Sequence, residues 1–154
     1  MRATSRTCLI TVVASIAVVA LLSRPGTASH LKEYPQKHRV LYQLSEGGID
    51  KAKFVLGNIR NHVNGVGWQN IESIELVVFG PALKTFVMKT IDPDVKHLLE
   101  SLQTQGLVFG ACGNTMKNFS ITLQELPDSS KPLPQGGVVR IMELQDAGYR
   151  YIRP

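Results

Sequence analysis

An apolar run passes directly into a glycine-flanked cysteine at Leu107-Val108-Phe109-Gly110-Ala111-Cys112-Gly113-Asn114-Thr115. Its first five residues have the short, apolar character of a strand buried on both faces of a sheet. A helix is expected from about Asn114, which places Cys112 at a strand-to-helix junction. The segment therefore predicts one unit of an α/β fold, with a thiol at the carboxyl end of a strand.

A similar unit of strand, loop and helix is predicted nearer the N-terminus, over residues 38–65. Residues His38–Leu44 form a β-rich run, and Ser45-Glu46-Gly47-Gly48 then breaks it. Apolar residues next recur every three or four positions over 49–63, which is the spacing of one helix face. We expect this helix to stop at Asn64-Gly65.

The next unit has the same order. A second buried strand is predicted over 73–79, ended by Gly80-Pro81, and a short helix over 82–89. A longer helix is expected to begin after Asp92, because Asp is a favoured N-cap and Pro93 suits the first helical position. Its apolar stripe continues to Gly106.

The C-terminal part adds a loop, a helix and a strand. Residues 128–137 are rich in Ser, Asp and Pro and are predicted to form a loop. Helical spacing follows from Val138 to Gln145 with Gly148 as the cap, and 149–152 alternates like a strand. Strands separated by helices require crossover connections, so residues 30–154 are predicted to form one three-layer α/β domain: a mostly parallel sheet between helices.

The N-terminal residues have the layout of a secretory signal peptide. Arg2 and Arg6 precede an uncharged apolar run of 15 residues over 8–22, and small residues follow up to Ala28 or Ser29. We expect residues 1–29 to be a cleavable leader that directs the protein to the periplasm or outside the cell. The alternative is that the leader stays uncleaved and anchors the protein in the inner membrane, which would then be its membrane contact.

Basic charge is concentrated in that leader. The whole chain has a formal net charge of +5, but the leader holds three Arg and no acid, which leaves 14 basic against 12 acidic residues in the remainder. With basic and acidic residues nearly balanced, the remainder lacks the excess positive charge that binds a polyanion. We therefore expect no nucleic-acid partner.

Cys112 is the one cysteine outside the leader. It cannot form an internal disulfide, and without a Cys-x-x-Cys motif a dithiol oxidoreductase is not indicated. Two interpretations stay open: a small buried hydrophobic residue, or a reactive thiol whose pKa is lowered by the start of the following helix. The four histidines are scattered without metal-binding spacing, so no metal site is predicted.

The three predicted strands should end at one edge of the sheet, where ligands of open α/β folds bind. Neither the loop after the first strand, at 45–48, nor the loop after the third strand, at 112–115, matches a dinucleotide or phosphate-binding fingerprint. No cofactor is therefore predicted. The candidate residues at this edge are the nucleophile Cys112 and five ligand-contacting residues, namely Gly47, Gly80, Gly113, Asn114 and Thr115.

Several stretches together resemble the DsrE/DsrF-like family. They are Val40-Leu41-Tyr42-Gln43-Leu44, Asn58-Ile59-Arg60-Asn61-His62, Val77-Val78-Phe79-Gly80-Pro81, Gly110-Ala111-Cys112-Gly113-Asn114-Thr115-Met116-Lys117, and the ending from Gly137-Val138-Val139 to Gly148-Tyr149-Arg150-Tyr151-Ile152-Arg153-Pro154. The resemblance implies a flavodoxin-like fold and a homo-oligomer. For the sulfur-relay members it implies a cysteine that carries persulfide sulfur between donor and acceptor proteins, and Cys112 stands at its expected position.

Two positions depart from the family pattern. Related sequences often have histidine where this chain has Gln43 and Phe79, so no proton-transfer role is carried over to them. Two functions therefore stay open: an exported sulfur carrier that uses Cys112, and a non-catalytic oligomeric binding or accessory subunit in which Cys112 is structural.

Overall fold

The computed structural model describes residues 34–154, and the predicted leader lies outside the described residues. The described part contains a five-stranded sheet with helices on both faces. The strands are β1 (His38–Leu44), β2 (Ile71–Val78), β3 (Leu107–Cys112), β4 (Lys131–Leu133) and β5 (Arg150–Ile152). The helices are α1 (Ile49–Val66), α2 (Pro93–Thr104), α3 (Gly113–Phe119) and α4 (Gly137–Asp146).

The sheet has the order β4-β3-β2-β1-β5, and every neighbouring pair is parallel. From β1 to β4 the chain advances in one direction across the sheet, and then it reverses to place β5 beside β1. Right-handed crossovers put connections that run in opposite directions on opposite faces of a sheet. Helices α1, α2 and α3 accordingly share one face, whereas α4 crosses the other face over β1, β2 and β3.

Side chains alternate between two cores along each strand. The larger core lies under α1 and α2 and contains Tyr42, Leu76 and Phe109, whereas Leu41 and Val77 pack under α4. Because the strand period is two, Gly110 and Cys112 lie on the α4 face of β3. The thiol is therefore on the face that one helix covers.

No helix within residues 34–154 has both the length and the apolar character that a bilayer crossing requires.

The predicted three-layer α/β fold is confirmed, but some predicted boundaries are wrong. Helix α1 continues through Asn64-Gly65 and ends at Val66. Its C-cap is Gly67, whose φ of +83° suits glycine and whose N–H donates to the Val63 carbonyl at 2.8 Å. The segment expected to be a short helix over 82–89 is a 3₁₀ turn at Gly80–Phe86.

The predicted loop over 128–137 contains strand β4, which the sequence analysis missed. The strand has three residues and a proline in the middle, so it lacks the alternation and the donors of an ordinary strand. Pro132 is tolerated because β4 is an edge strand and pairs with β3 alone. This pairing brings the chain beside Cys112 before α4 begins.

Candidate functional site

Three loops meet at the carboxyl edge of the sheet. The N–H of Phe79 donates to the Leu44 carbonyl at 3.1 Å, which ties the loop after β2 to the end of β1. On its other side the same loop reaches α3, because the Gly80 N–H donates to the Thr115 hydroxyl at 2.9 Å. The edge is therefore one connected structure with Cys112 at the end of β3.

Cys112 is both the last residue of β3 and the N-cap of α3. The sequence predicts that this helix begins at about Asn114. Instead α3 begins at Gly113, so the backbone N–H groups of its first turn are directed toward the cysteine. The cysteine residue is buried, with 5% of its surface exposed.

The sulfur is surrounded by hydrogen-bond donors. The backbone N–H of Gly137, the first residue of α4, donates to Sγ of Cys112 at 3.2 Å. Burial raises the pKa of the Cys112 thiol, but hydrogen bonds from the hydroxyl and N–H of Thr115 and from the N–H of Gly137 and Asn114 outweigh it. The pKa therefore lies below its ordinary value, and the thiolate is favoured.

Thr115 is buried, its hydroxyl group is hydrogen-bonded to the loop after β2, and the same hydroxyl group lowers the pKa of Cys112. The hydroxyl oxygen accepts the Gly80 N–H, which leaves the single hydroxyl proton free to point at Sγ of Cys112. Gly80 has a φ of +59°, a conformation that glycine adopts without strain. The loop after β2 thus orients a donor for the cysteine on β3.

Two glycines allow the chain to approach the cysteine closely. A Cβ added to Gly113 would lie 2.8 Å from the Leu133 carbonyl oxygen, and one added to Gly137 would lie 3.0 Å from the Phe79 ring. The first distance is shorter than real side-chain carbons show, and the second is so tight that the Phe79 ring would have to shift. Glycine at these positions therefore lets the starts of α3 and α4 reach the sulfur from opposite faces of the sheet.

The remaining predicted ligand-contacting residues have other neighbours. Gly47 lies in the exposed loop after β1, where its backbone packs against Pro81. The N–H of Asn114 lowers the pKa of the Cys112 thiol, while the Asn114 side-chain amide lies against Gly136. The structure thus places Gly113, Asn114 and Thr115 beside Cys112, with Gly80 bonded to Thr115 and Gly47 farther along the edge.

The sequence carries no signal that Gly137 takes part in the site. Gly137 ends the predicted loop over 128–137, and only strand β4, which the sequence pattern does not predict, brings it beside the cysteine. The positions that differ from related sequences are also accounted for: Gln43 accepts a hydrogen bond from the Tyr151 hydroxyl at 2.6 Å, and Phe79 packs against Gly137.

An apolar pocket of about 460 Å³ adjoins the site on the side of α3. It shares Gly113 with the cysteine environment, and Lys117 adds one positive charge to its wall. Other lining residues are Met116, Ile121, Pro132 and Pro134. Over residues 34–154 no group of three or more His, Cys, Asp or Glu side chains is arranged to hold a metal ion.

The lowered pKa predicts a pH-dependent contribution of Cys112 to stability. A group whose pKa falls on folding stabilises the protein above its unfolded-state pKa, about 8.5 for cysteine, and this stabilisation is lost as the pH falls through the folded-state value. We expect the free energy of unfolding of wild type minus that of Cys112→Ser to rise with pH between these two pKa values. Urea unfolding of both proteins from about pH 5 to about pH 10 measures this difference, and a flat difference would contradict a lowered pKa.

The fold and the site together define a flavodoxin-like α/β protein with a hydrogen-bonded thiol at the carboxyl edge of a parallel sheet. The chain belongs to the DsrE/DsrF-like family, whose family model matches residues 40–154. It has no significant sequence match among curated proteins.

Solved structures with the same fold include three bacterial or archaeal proteins. The protein of unknown function MTH1491 from Methanobacterium thermoautotrophicum has 24% identity and a TM-score of 0.65, covering 77% of this chain and 100% of that one. The conserved protein of unknown function BT1422 from Bacteroides thetaiotaomicron has 16% identity and a TM-score of 0.57, covering 75% and 93%. The ychN protein from E. coli has 13% identity and a TM-score of 0.53, covering 77% and 99%. At these identities the likeness shows the fold alone.

Proposed function

We propose that the protein is a sulfur carrier in which the Cys112 thiolate accepts a sulfane sulfur and holds it as a persulfide. The observation that carries the proposal is the hydrogen bond from the Gly137 N–H to the buried Sγ of Cys112 at 3.2 Å. The polar groups at the start of α3, on Asn114 and Thr115, lower the pKa of the same thiol. A neutral thiol is a weak acceptor, whereas an anionic sulfur accepts strongly, so a backbone donor directed at Sγ favours the thiolate. The general association of the DsrE/DsrF-like family with sulfur relay supports the same chemistry.

The proposed step moves one sulfur atom without net oxidation or reduction. The Cys112 thiolate attacks the outer sulfur of a donor persulfide, R–S–SH, so that a new S–S bond forms at Sγ. The S–S bond of the donor breaks, and R–S⁻ leaves with the electron pair. The donors that stabilise the thiolate also stabilise the negative charge that returns to Cys112 when an acceptor thiol or sulfite removes the sulfur.

The proposal includes export of the protein and its association with a second copy or a protein partner. The basic start and the apolar run over 8–22 support export, with a retained inner-membrane leader as the alternative. Exposed apolar side chains on the outer face of α4 support a homo-oligomer or a docking protein partner for sulfur exchange, since Val138 and Met142 are 67% and 54% exposed.

Sulfur uptake by wild type and Cys112→Ser tests the carrier function. After incubation with hydropolysulfide, we expect the wild-type mass to increase by one sulfur atom, and the added sulfur to map to the peptide that contains Cys112. The Cys112→Ser protein should show no such increase, because a hydroxyl group cannot form the persulfide. Cys8→Ser is the matched control and should load like wild type.

The second candidate function is a binding or accessory subunit in which Cys112 is structural, and the 5% exposure of Cys112 favours it. In that case the protein is a non-catalytic binding or accessory subunit and the thiol is merely packed. This candidate predicts slow alkylation of the native thiol and a Cys112→Ser protein with unchanged behaviour. Absence of sulfur on Cys112 after incubation with hydropolysulfide, and with thiosulfate plus a sulfurtransferase, would eliminate the carrier function in its favour.

A further inference from the structure

A carboxylate is buried in the sheet face that carries the cysteine. Glu75 lies in the middle of β2, and 4% of its surface is exposed. Its partner is Arg140 of α4, which donates from Nε to Oε1 at 2.9 Å and from Nη2 to Oε2 at 2.8 Å. This bidentate pair is the geometry that holds a guanidinium group most rigidly.

The pair fixes the part of α4 that contacts the sulfur. Arg140 lies one turn into the helix, and its backbone N–H closes the first turn on the Gly136 carbonyl at 3.0 Å. The N-cap residue, Gly136, has no side chain to hold this end of the helix. The position of the Gly137 N–H, 3.2 Å from Sγ of Cys112, therefore depends on where Arg140 is held.

A second branch holds the chain on the other side of Gly137. Glu143 lies within 3.5 Å of Arg140 and accepts a hydrogen bond from the Gln135 side chain at 2.9 Å. Gln135 precedes Gly137 by two residues, and Arg140 follows it by three. The network thus connects both sides of the donor to the buried carboxylate.

The strand that carries the cysteine is shaped to fit the carboxylate. A Cβ added to Gly110 would lie 3.1 Å from Oε1 of Glu75 and 3.0 Å from the Leu133 side chain. Gly110 precedes Cys112 by two residues on the same face of β3. The ion pair and the thiol are therefore neighbours along one strand face.

We propose that Glu75 and Arg140 are positioning residues for Cys112, which hold the first turn of α4 so that the Gly137 N–H is directed at the sulfur. This ion pair is partly buried, since the Arg140 side chain is 31% exposed. Neither exposed nor buried ion pairs add much stability compared with apolar residues of the same shape, so stability alone does not explain this pair. The inference rests on the proposed function, in which the Cys112 thiolate is the reacting group.

Glu75→Gln separates positioning from charge. The amide keeps the shape of the side chain but removes one of the two negative charges beside Arg140, which leaves Glu143 as its carboxylate partner. The local charge becomes more positive by one unit, and added positive charge lowers the pKa of a nearby thiol. Charge alone therefore predicts faster alkylation at neutral pH. Loss of the Gly137 donor predicts the opposite, about tenfold slower alkylation, which corresponds to a rise of about one unit in the pKa of Cys112.

The experiment measures the rate of iodoacetamide alkylation of Cys112 against pH in a Cys8→Ser background. We expect Glu75→Gln to slow the alkylation rate near pH 7 and to shift the pH profile to higher pH. We expect Arg140→Lys to give a smaller shift in the same direction, because lysine keeps the positive charge but cannot make the bidentate contact. Glu100→Gln is the matched control, since its carboxylate pairs with Lys96 on the exposed side of α2. It should alkylate like wild type.

A second variant covers the case in which Glu75→Gln does not fold. Glu75→Leu combined with Arg140→Met removes both charges and restores an apolar contact, a replacement that folded proteins often tolerate. We expect this protein also to show slower alkylation and a profile shifted to higher pH. Wild-type profiles in the folded variants would overturn the inference.

Sulfur loading of wild type, measured in parallel, distinguishes the two proposals. Slower alkylation of Glu75→Gln in a protein that takes up no sulfur would support the positioning role and remove the carrier function. Normal alkylation of Glu75→Gln in a protein that loads sulfur on Cys112 would remove the positioning role and leave the carrier function in place.

Discussion

Replacement of Thr115 by valine is expected to slow alkylation of Cys112 at neutral pH by about tenfold, which corresponds to a rise of about one pKa unit or about 1.4 kcal/mol. Valine has the shape of threonine but lacks the hydroxyl group. The sulfur would lose one of its donors, and the Gly80 N–H would lose the acceptor that lies 2.9 Å away. An orphaned N–H in this part-buried position costs about 1–3 kcal/mol, so the free energy of unfolding should also fall.

Thr115→Ser is the matched control for this substitution. Serine keeps the hydroxyl group and loses only a methyl group, so its alkylation rate and pH profile should stay close to those of wild type. Equal alkylation rates for the valine variant and wild type would mean that the hydroxyl group does not stabilise the thiolate. The donors from the backbone would then have to account for the whole shift of the pKa.

Phe109→Ala is expected to lower the free energy of unfolding by about 3–5 kcal/mol. Phe109 is fully buried on β3, three residues before Cys112, and packs edge-to-face on Phe86 with ring centroids 5.0 Å apart. Removing the ring leaves a cavity between β3 and the 3₁₀ turn after β2. Urea unfolding followed by circular dichroism measures the change.

Phe54→Ala is the matched control on the surface of α1. Phe54 is 55% exposed, so the same loss of a ring should change the free energy of unfolding by no more than about 0.5 kcal/mol. A loss as small for Phe109→Ala as for Phe54→Ala would contradict the placement of Phe109 in the main core.

The strong periodic signals predicted the fold well. Strand β1 begins and ends at the predicted residues, and α2 begins as Asp92 and Pro93 indicate, with the Asp92 carboxylate accepting the N–H groups of Asp94 and Val95. Such signals are local, since they need only one segment and its burial. Strand β4 lacked them, because three residues with a central proline carry neither alternation nor β propensity.

The candidate site was predicted in part. The position of Cys112 before a helix follows from the local sequence pattern. The convergence of the strand ends follows from a parallel sheet, so neither prediction requires knowledge of distant contacts. The contributions of Gly137 and of the Glu75–Arg140 pair depend on α4 returning over the second face of the sheet. The visible signal for that pair was Glu75 between the buried apolar residues Ile74 and Leu76, because a buried carboxylate requires a partner.

The structure also explains how one cysteine is approached from two directions. Helix α3 follows β3 on one face, whereas α4 begins after the chain has passed along β4 and turned to the other face. Both helices start at the carboxyl edge, so their first N–H groups converge on the residue that ends β3. The thiolate environment therefore arises because the chain returns across the other face of the sheet after β4, through α4, to reach β5.

Direct titration of Cys112 tests the central claim that its sulfur is held as a thiolate. The ultraviolet absorbance of the thiolate would be followed against pH in the Cys8→Ser protein, with the protein that also carries Cys112→Ser as the blank. We predict a midpoint clearly below the value of about 8.5 for free cysteine. A midpoint at or above that value would contradict the claim and identify Cys112 as a packed structural thiol.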